Sequence, residues 1–314
     1  MSVGIGLKSQ RFKGTGGQMS EQNSRDTVAA PVRAGLIGSG IQASRSPAMH
    51  MDEAAALGLR LRYELFDLDR LGGADALEAV LARIEGEGFA GVNITHPCKQ
   101  GVLGHLHEIS PEARLIGAVN TVLFRAGRRI GHNTDWFGFA EALRRGLAGA
   151  AHAQVTQLGA GGAGCATAYA LLTCGAAHVQ VHDTDAARAQ QLCARLAEHF
   201  GAGRISATSD VPSALEHSDG LVNATPVGMR AYPGLPLPKS LLRPALWVAD
   251  IVYFPLATQL LETARRVGCR TLDGGMMAVL QAAAAFRLFT GVEPEIERML
   301  ARFADLRPEA ADER

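Results

Sequence analysis

The sequence predicts an α/β protein: an N-terminal α/β substrate domain plus a C-terminal doubly wound, Rossmann-type domain facing it across a cleft. Three observations predict it. Residues 155–158 form a short apolar run that enters Gly159-Ala-Gly161-Gly162-Ala-Gly164 and then an Ala- and Leu-rich helical pattern. A second short strand pattern, 178–182, ends at Asp183. Strand and helix patterns also alternate along residues 32–95, as β-α-β-α-β, so that stretch builds a layer of its own.

A chain of 314 residues is long enough for two such domains. Lys+Arg and Asp+Glu each number 31, so composition offers no electrostatic reason to bind nucleic acid or an anionic membrane surface. No apolar run is long enough to span a bilayer. Residues 1–30 are polar, lack the apolar centre of a secretory signal, and are expected to be a disordered extension. The five cysteines, Cys98, Cys165, Cys174, Cys193 and Cys269, are scattered and odd in number, which fits a reducing cytoplasm. The expectation is a cytoplasmic monomer or homodimer acting on a small molecule.

Residues 32–37 read as the first strand, and a loop runs on to Ser46. Ser46-Pro47 opens a helix, with Ser46 as N-cap and Pro47 at the first helical position; Gly58 lies beyond its end. Residues 59–65 alternate apolar and polar side chains as a half-buried strand. Leu77, Val80, Leu81 and Ile84 recur at helical spacing as far as Gly86, and 89–95 makes the next strand. This strand runs into Pro97-Cys98-Lys99. Pro97 suits the first turn of a helix, which places Lys99 near a positive helix end, where field and desolvation both disfavour the charged ammonium. A solvated lysine is the other reading; Asn93 and Thr95 supply polar company at the same strand end. Cys98 has no identifiable base beside it.

Ser110-Pro111 repeats the cap-and-proline device, and strands 118–124 and 129–132 flank a turn at Gly127. Asn133-Thr134-Asp135 then begins a helix with Trp136, Phe139, Ala140, Leu143 and Leu147 on one face. Asp135 there either meets the helix dipole or partners Lys99, and spacing leaves both open. His105 and His107 are too closely spaced for a convincing metal site, and no metal is expected.

In the glycine turn, the G-x-G-x-x-G spacing allows a tight turn at Gly159, close backbone approach to a pyrophosphate at Gly161, and close helix–strand packing at Gly164. The helix N-terminus then faces the phosphates, and Asp183 lies where an acid accepts ribose hydroxyls. With 204–207, 220–224, 246–252 and 270–272 the strands of this sheet reach six, in the expected order 3-2-1-4-5-6. Ligands sit beyond the carboxyl ends of such strands, which draws Asp183, Thr225-Pro-Val-Gly228-Met229 and residues 250–253, Val252 among them, to one rim. Residues 233–244 read as a surface loop and 276–289 as an internal helix with Gln281 as its polar member. A last helix follows, carrying Ile296, Met299, Leu300 and Phe303. Both helices are expected to pack back on the first domain, giving a substrate domain at 31–134 completed by 276–306, and a dinucleotide domain at 135–275.

Taken together, Ser44-Arg-Ser46-Pro-Ala-Met-His50, Asn93-Ile-Thr95-His-Pro-Cys-Lys99, Gly117-Ala-Val-Asn120-Thr, Gly131-His-Asn133-Thr-Asp135 and Asn223-Ala-Thr225-Pro resemble the shikimate/quinate dehydrogenase family. The resemblance implies oxidoreduction of a ring hydroxyl on a cyclohexane polyol carboxylate, in biosynthesis of aromatic amino acids or in quinate catabolism. It places the catalytic lysine and aspartate on Lys99 and Asp135, carboxylate-binding hydroxyls on Ser44 and Ser46, and ring-hydroxyl contacts on Thr95, Asn120 and Gln281. It places the cofactor on Gly159, Ala160, Gly161, Gly162, Ala163, Asp183, Arg188, Thr225, Met229, Val252 and Gly274. Asp183 favours NAD, because a carboxylate repels a 2′-phosphate; Arg188 either reaches the adenosine or lies on the helix surface, and Asp185 reads as an N-cap. Met276, where biosynthetic relatives have Gly, points away from the biosynthetic type, whereas Ser46, where quinate-active relatives often have Thr, leans toward shikimate. The alternatives are an NADP-dependent biosynthetic enzyme and a non-catalytic sensor on the same fold.

Overall fold

The computed structural model describes residues 30–306, and its strands separate into two six-stranded sheets. The expectation of a disordered extension falls, Ala30 apart, outside the described residues.

The first sheet is built by β1 (Val32–Gly38), α1 (Ser46–Ala56), β2 (Leu61–Asp67), α2 (Leu68–Leu71), α3 (Leu77–Gly86), β3 (Gly91–Ile94), β4 (Glu108–Ile109), α4 (Pro111–Ile116), β5 (Thr121–Arg125) and β6 (Arg128–His132). Its order is β2-β1-β3-β5-β6-β4. β1 runs parallel to β2 and β3, while β5 runs antiparallel to β3 and β6. That reversal matters for the site. It pairs Asn93 with Thr121, so that Asn120, just before β5, reaches the carboxyl end of β3.

Two local expectations are corrected. Ser46 is not the N-cap of α1: Arg45 holds that position, already in helical backbone geometry, and Ser46 is the first helical residue, its N–H donating to Ser44 Oγ at 3.3 Å. No α-helix starts at Pro97. His96-Pro97 is a cis bond, and the chain continues as a turn into a 3-10 segment, Gly101–His105. Lys99 therefore sits in a turn just before that segment and not in the first turn of an α-helix.

The second sheet follows α5 (Asp135–Gly146). It is built by β7 (Gln154–Leu158), α6 (Gly162–Thr173), β8 (His178–His182), α7 (Ala186–Phe200), β9 (Ile205–Ala207), α8 (Val211–Glu216), β10 (Gly220–Asn223), β11 (Trp247–Asp250), α9 (Gln259–Val267) and β12 (Arg270–Leu272). All its pairings are parallel, in the order β12-β11-β10-β7-β8-β9, which is 3-2-1-4-5-6 read from the other edge. The 233–244 segment is less superficial than expected: Leu237 and Leu242 are buried with Leu246 and Leu260, because their apolar area is removed from water only there.

α10 (Gly274–Thr290) and α11 (Ile296–Asp305) end the described chain. α10 serves both cores. Met277 and Leu280 pack with Phe139 and Leu143 of α5, whereas Phe286 and Phe289 pack with Ala34, Leu36, Tyr63 and Leu123 of the first sheet. The α5–α10 crossing is close because Gly138 lacks a side chain; a Cβ there would lie 2.8 Å from Met277 O. Phe139, beside it, is 2% exposed, and burying such a ring contributes roughly 1.5–3 kcal/mol.

Candidate active site

The carboxyl ends of β1 and β3, the start of α1, the start of α5 and the first turns of α10 surround a cleft. A concave site between packed elements suits a small ligand. Of the residues singled out in the sequence, Ser44, Ser46, Thr95, Lys99, Asn120, Asp135, Gln281, Ala163 and Gly274 line it.

At its floor Lys99 Nζ donates to Asp135 Oδ2 at 2.6 Å. Asp135 is 4% exposed, and its other oxygen accepts from Asn120 Nδ2 at 2.9 Å. The aspartate is held in turn by its backbone, whose N–H donates to Asn133 Oδ1 at 3.0 Å. Helix capping is thus the work of Asn133, which frees the Asp135 carboxylate for the cleft. Asn120, 2% exposed, ties the group together: its amide also reaches Thr134 Oγ1 at 2.9 Å and Gln281 Oε1 at 3.3 Å, and its carbonyl accepts from Thr134 N at 2.7 Å. Gln281 is fixed by donating to Ala278 O at 2.8 Å.

A second polar chain leads away from the serines. The buried Tyr63 hydroxyl bonds with Ser46 and donates to Asn93 Oδ1 at 2.7 Å, and Asn93 donates to Thr121 Oγ1 at 3.0 Å. Burial raises the pKa of Tyr63 well above the usual phenol range, so it stays a neutral donor. Cys98 is buried and its thiol is pushed up by desolvation, which leaves no nucleophile there. His105 pairs with Glu78 at 2.9 Å and His107 Nδ1 accepts from Arg129 N at 3.0 Å; both are structural. Among the described residues no group of three or more His, Cys, Asp or Glu is placed to hold a metal ion.

The glycine turn closes the far side. Gly159, with φ 99°, lies against Ala224 O, which a Cβ would approach to 2.6 Å. A Cβ on Gly164 would collide with Gly159 O, whereas one on Gly161 would meet nothing within 4 Å. The turn is therefore packed hard on its inner side and open at Gly161, where a pyrophosphate needs room. The first intrahelical bond of α6 is Cys165 N to Gly161 O at 2.8 Å, so the N–H groups of 162–164 precede it at the helix's positive end. These residues fit a dinucleotide. Asp183 stands at the end of β8; its Oδ2 accepts from Ala160 N at 2.7 Å and its Oδ1 from Asp185 N at 2.9 Å.

The remaining positions are scattered along the rim. Thr225 is next to Gly159, with its hydroxyl donating to Asn223 Oδ1 at 2.7 Å. Val252 is buried, Met229 is exposed, and neither lines the cleft. Arg188 is exposed on α7 and faces Asp185, its N-cap, at 3.4 Å. Tyr253, the end of the rim segment 250–253, lines the cleft, and so do Arg45 and Phe303, which were not singled out from sequence. Arg45 had a signal, lying between the two serines; Phe303 was visible only as an apolar helix position.

A doubly wound dinucleotide-type sheet joined to a mixed sheet, with a lysine–carboxylate pair between them, defines an α/β protein of the nicotinamide-dependent oxidoreductase class. Residues 36–122 match the shikimate dehydrogenase substrate binding domain and residues 277–302 the shikimate 5'-dehydrogenase C-terminal domain. The shikimate dehydrogenase (NADP(+)) of Streptomyces avermitilis is 56% identical over 88% of this chain and 96% of its own length. The quinate/shikimate dehydrogenase (NAD(+)) of Corynebacterium efficiens is 49% identical over 87% of this chain and 97% of its own. Quinate dehydrogenase from Corynebacterium glutamicum, solved in complex with NAD, superposes with a TM-score of 0.81 at 44% identity, covering 88% of this chain and 99% of that one. The chain belongs to the shikimate dehydrogenase family.

Proposed function

We propose that this chain is a quinate/shikimate dehydrogenase that interconverts a ring hydroxyl and its ketone using NAD. The observation that carries the reading is the 2.6 Å contact of Lys99 with Asp135 in a cleft bordered by Ala163 of the glycine turn. The dinucleotide, when bound on Gly159, Ala160, Gly161, Gly162 and Ala163, supplies or accepts the hydride. Lys99 takes the proton from the reacting hydroxyl oxygen in oxidation and returns it in reduction. Asp135 holds the ammonium and the substrate hydroxyl in line, and Asn120 holds Asp135. Thr95 and Gln281 read the other ring hydroxyls, and Ser44 and Ser46 the carboxylate. A site of fixed neutral donors and acceptors rejects rings that lack the matching hydroxyl, since buried groups would be left unpaired. The substrate domain is assigned to 31–134 with 276–306, and the dinucleotide domain to 135–275.

Support for NAD comes from Asp183. Its carboxylate is anchored on the Ala160 and Asp185 N–H groups at the end of β8, the position from which an acid accepts ribose hydroxyls in dinucleotide-binding sheets, and a 2′-phosphate bound there would meet a fixed negative charge. The 56% identity to an NADP-linked relative favours the other cofactor. Assays of shikimate and quinate with NAD and with NADP, on the native chain and on Asp183→Ala, decide it. A native preference for NAD that shrinks in the variant supports this reading; a native preference for NADP overturns it.

A further inference from the structure

Two cations line the cleft, and they are not equivalent. The Lys99 ammonium is matched by Asp135 at 2.6 Å. Arg45, among the described residues, forms no ion pair; its guanidinium carbon lies 4.7 Å from the centroid of the Phe303 ring and Nη1 lies 3.5 Å from Phe303 O. A guanidinium laid on an aromatic face is held in place without losing its charge.

The ring that holds it is itself fixed. Phe303 belongs to α11, and α11 is clamped to α1 by Arg298 on Glu53 (2.6 and 2.7 Å) and by Arg302 on Asp52 at 2.5 Å. Arg45 is thus pinned between the two helices, directly between Ser44 and Ser46 and at the positive end of α1. With Lys99 and Asp135 cancelling, the serine end of the cleft keeps one uncompensated positive charge.

We infer that Arg45 is a specificity-determining residue: its guanidinium makes the serine end of the cleft select a substrate carrying a carboxylate over an uncharged ring of the same shape. The inference rests on the dehydrogenase reading given above. The serines supply hydrogen bonds that a neutral ester or amide also satisfies; only the arginine distinguishes charge. A pre-positioned cation costs little ordering on binding, so its effect falls mainly on the affinity for the anion.

The test compares shikimate with methyl shikimate on the native enzyme, Arg45→Met and Arg45→Lys, each at low and moderate salt. Arg45→Met is expected to lose about 10- to 100-fold in kcat/KM on shikimate, mainly through KM, and less than about threefold on the ester. Arg45→Lys is expected to recover most of the loss, and the salt dependence of KM for shikimate is expected to weaken in Arg45→Met. Equal losses on acid and ester, or a loss confined to kcat, overturn the inference and leave Arg45 as packing for Phe303. Native enzyme inert toward shikimate and quinate with both cofactors overturns the dehydrogenase reading and the inference together. Turnover without charge selectivity overturns the inference alone.

Discussion

Gly162, the first residue of α6, packs directly on Lys99: a Cβ built on this glycine would lie 2.8 Å from Lys99 Cβ. The dinucleotide turn and the proposed proton-transfer lysine are thus one packed contact, and the position of one sets the position of the other.

Gly162→Ala is therefore expected to separate stability from turnover. Alanine at a helix start is at least as favourable as glycine, so unfolding should shift little. The added methyl meets the stem of Lys99 close to its backbone, where it cannot swing aside, so Lys99 or the turn must move. A displacement of this kind is expected to lower kcat by about 10- to 100-fold. Paired thermal melts and steady-state kinetics check this; unchanged kcat in a normally folded variant would count against the contact.

Lys99→Met keeps the stem that Gly162 packs on and removes the ammonium. The expected result is a loss of about 10³-fold in kcat/KM, with dinucleotide affinity, read by fluorescence titration, nearly unchanged. Retention of activity within about tenfold would remove Lys99 from the chemistry.

Asn120→Ala deletes the amide that joins Asp135, Thr134 and Gln281. Two buried partners lose their bonds, which costs about 1–3 kcal/mol of stability for each group left unsatisfied. Denaturant unfolding measures that loss. Kinetics should show a fall in kcat as well, because the Asp135 carboxylate is freed to rotate.

His50 and Asp250 give the protein two opposed acid responses. His50 is fully buried, stacked on Tyr63 with ring centroids 4.6 Å apart and in contact distance of Phe286 and Phe289. Neither ring nitrogen has a partner, and burial lowers its pKa to about 3. The unfolded chain binds the proton first, so stability falls by about 1.4 kcal/mol per unit as pH drops from about 6.5 toward 3. Asp250 is raised to about 6 by burial, against the donors Thr258, Val252 and Asn223. The folded chain there binds the proton first. Its stability contribution is present below an unfolded pKa of about 3.9 and is lost as pH rises through 6, a change opposite in sign to that of His50. Between about pH 4 and 6 the two cancel. His50→Phe should remove one side of that balance, and the variant should gain about 3 kcal/mol relative to the native chain between pH 7 and pH 4. Urea unfolding at the two pH values measures it; parallel pH profiles would refute the assignment.

Much of this molecule was legible locally. Strand and helix periodicity, the glycine turn and the proline-marked helix starts are short-range signals, because each reflects what a few neighbouring residues can do with their own backbone. They sufficed for the α/β class and for the order of the parallel sheet. Local signals failed where a local rule had a competitor. Ser46-Pro47 looked like a cap, but Ser44 and Arg45 take over the turn before it. Pro97 looked like a helix start, but the chain turns through a cis bond into a 3-10 segment instead.

By itself the sequence determined which elements form and which polar side chains stand at their ends, since residue type and periodicity are written in the order of the chain. Only the tertiary structure decided which of them meet. The Lys99–Asp135 contact spans 36 positions, Asn120–Gln281 spans 161, and the Arg45 contact with Phe303 spans 258. Contacts that long depend on how α10 crosses α5 at Gly138 and how α11 is clamped to α1, and such packing has no short-range signature because it arises from shape and charge matched between distant parts of the chain.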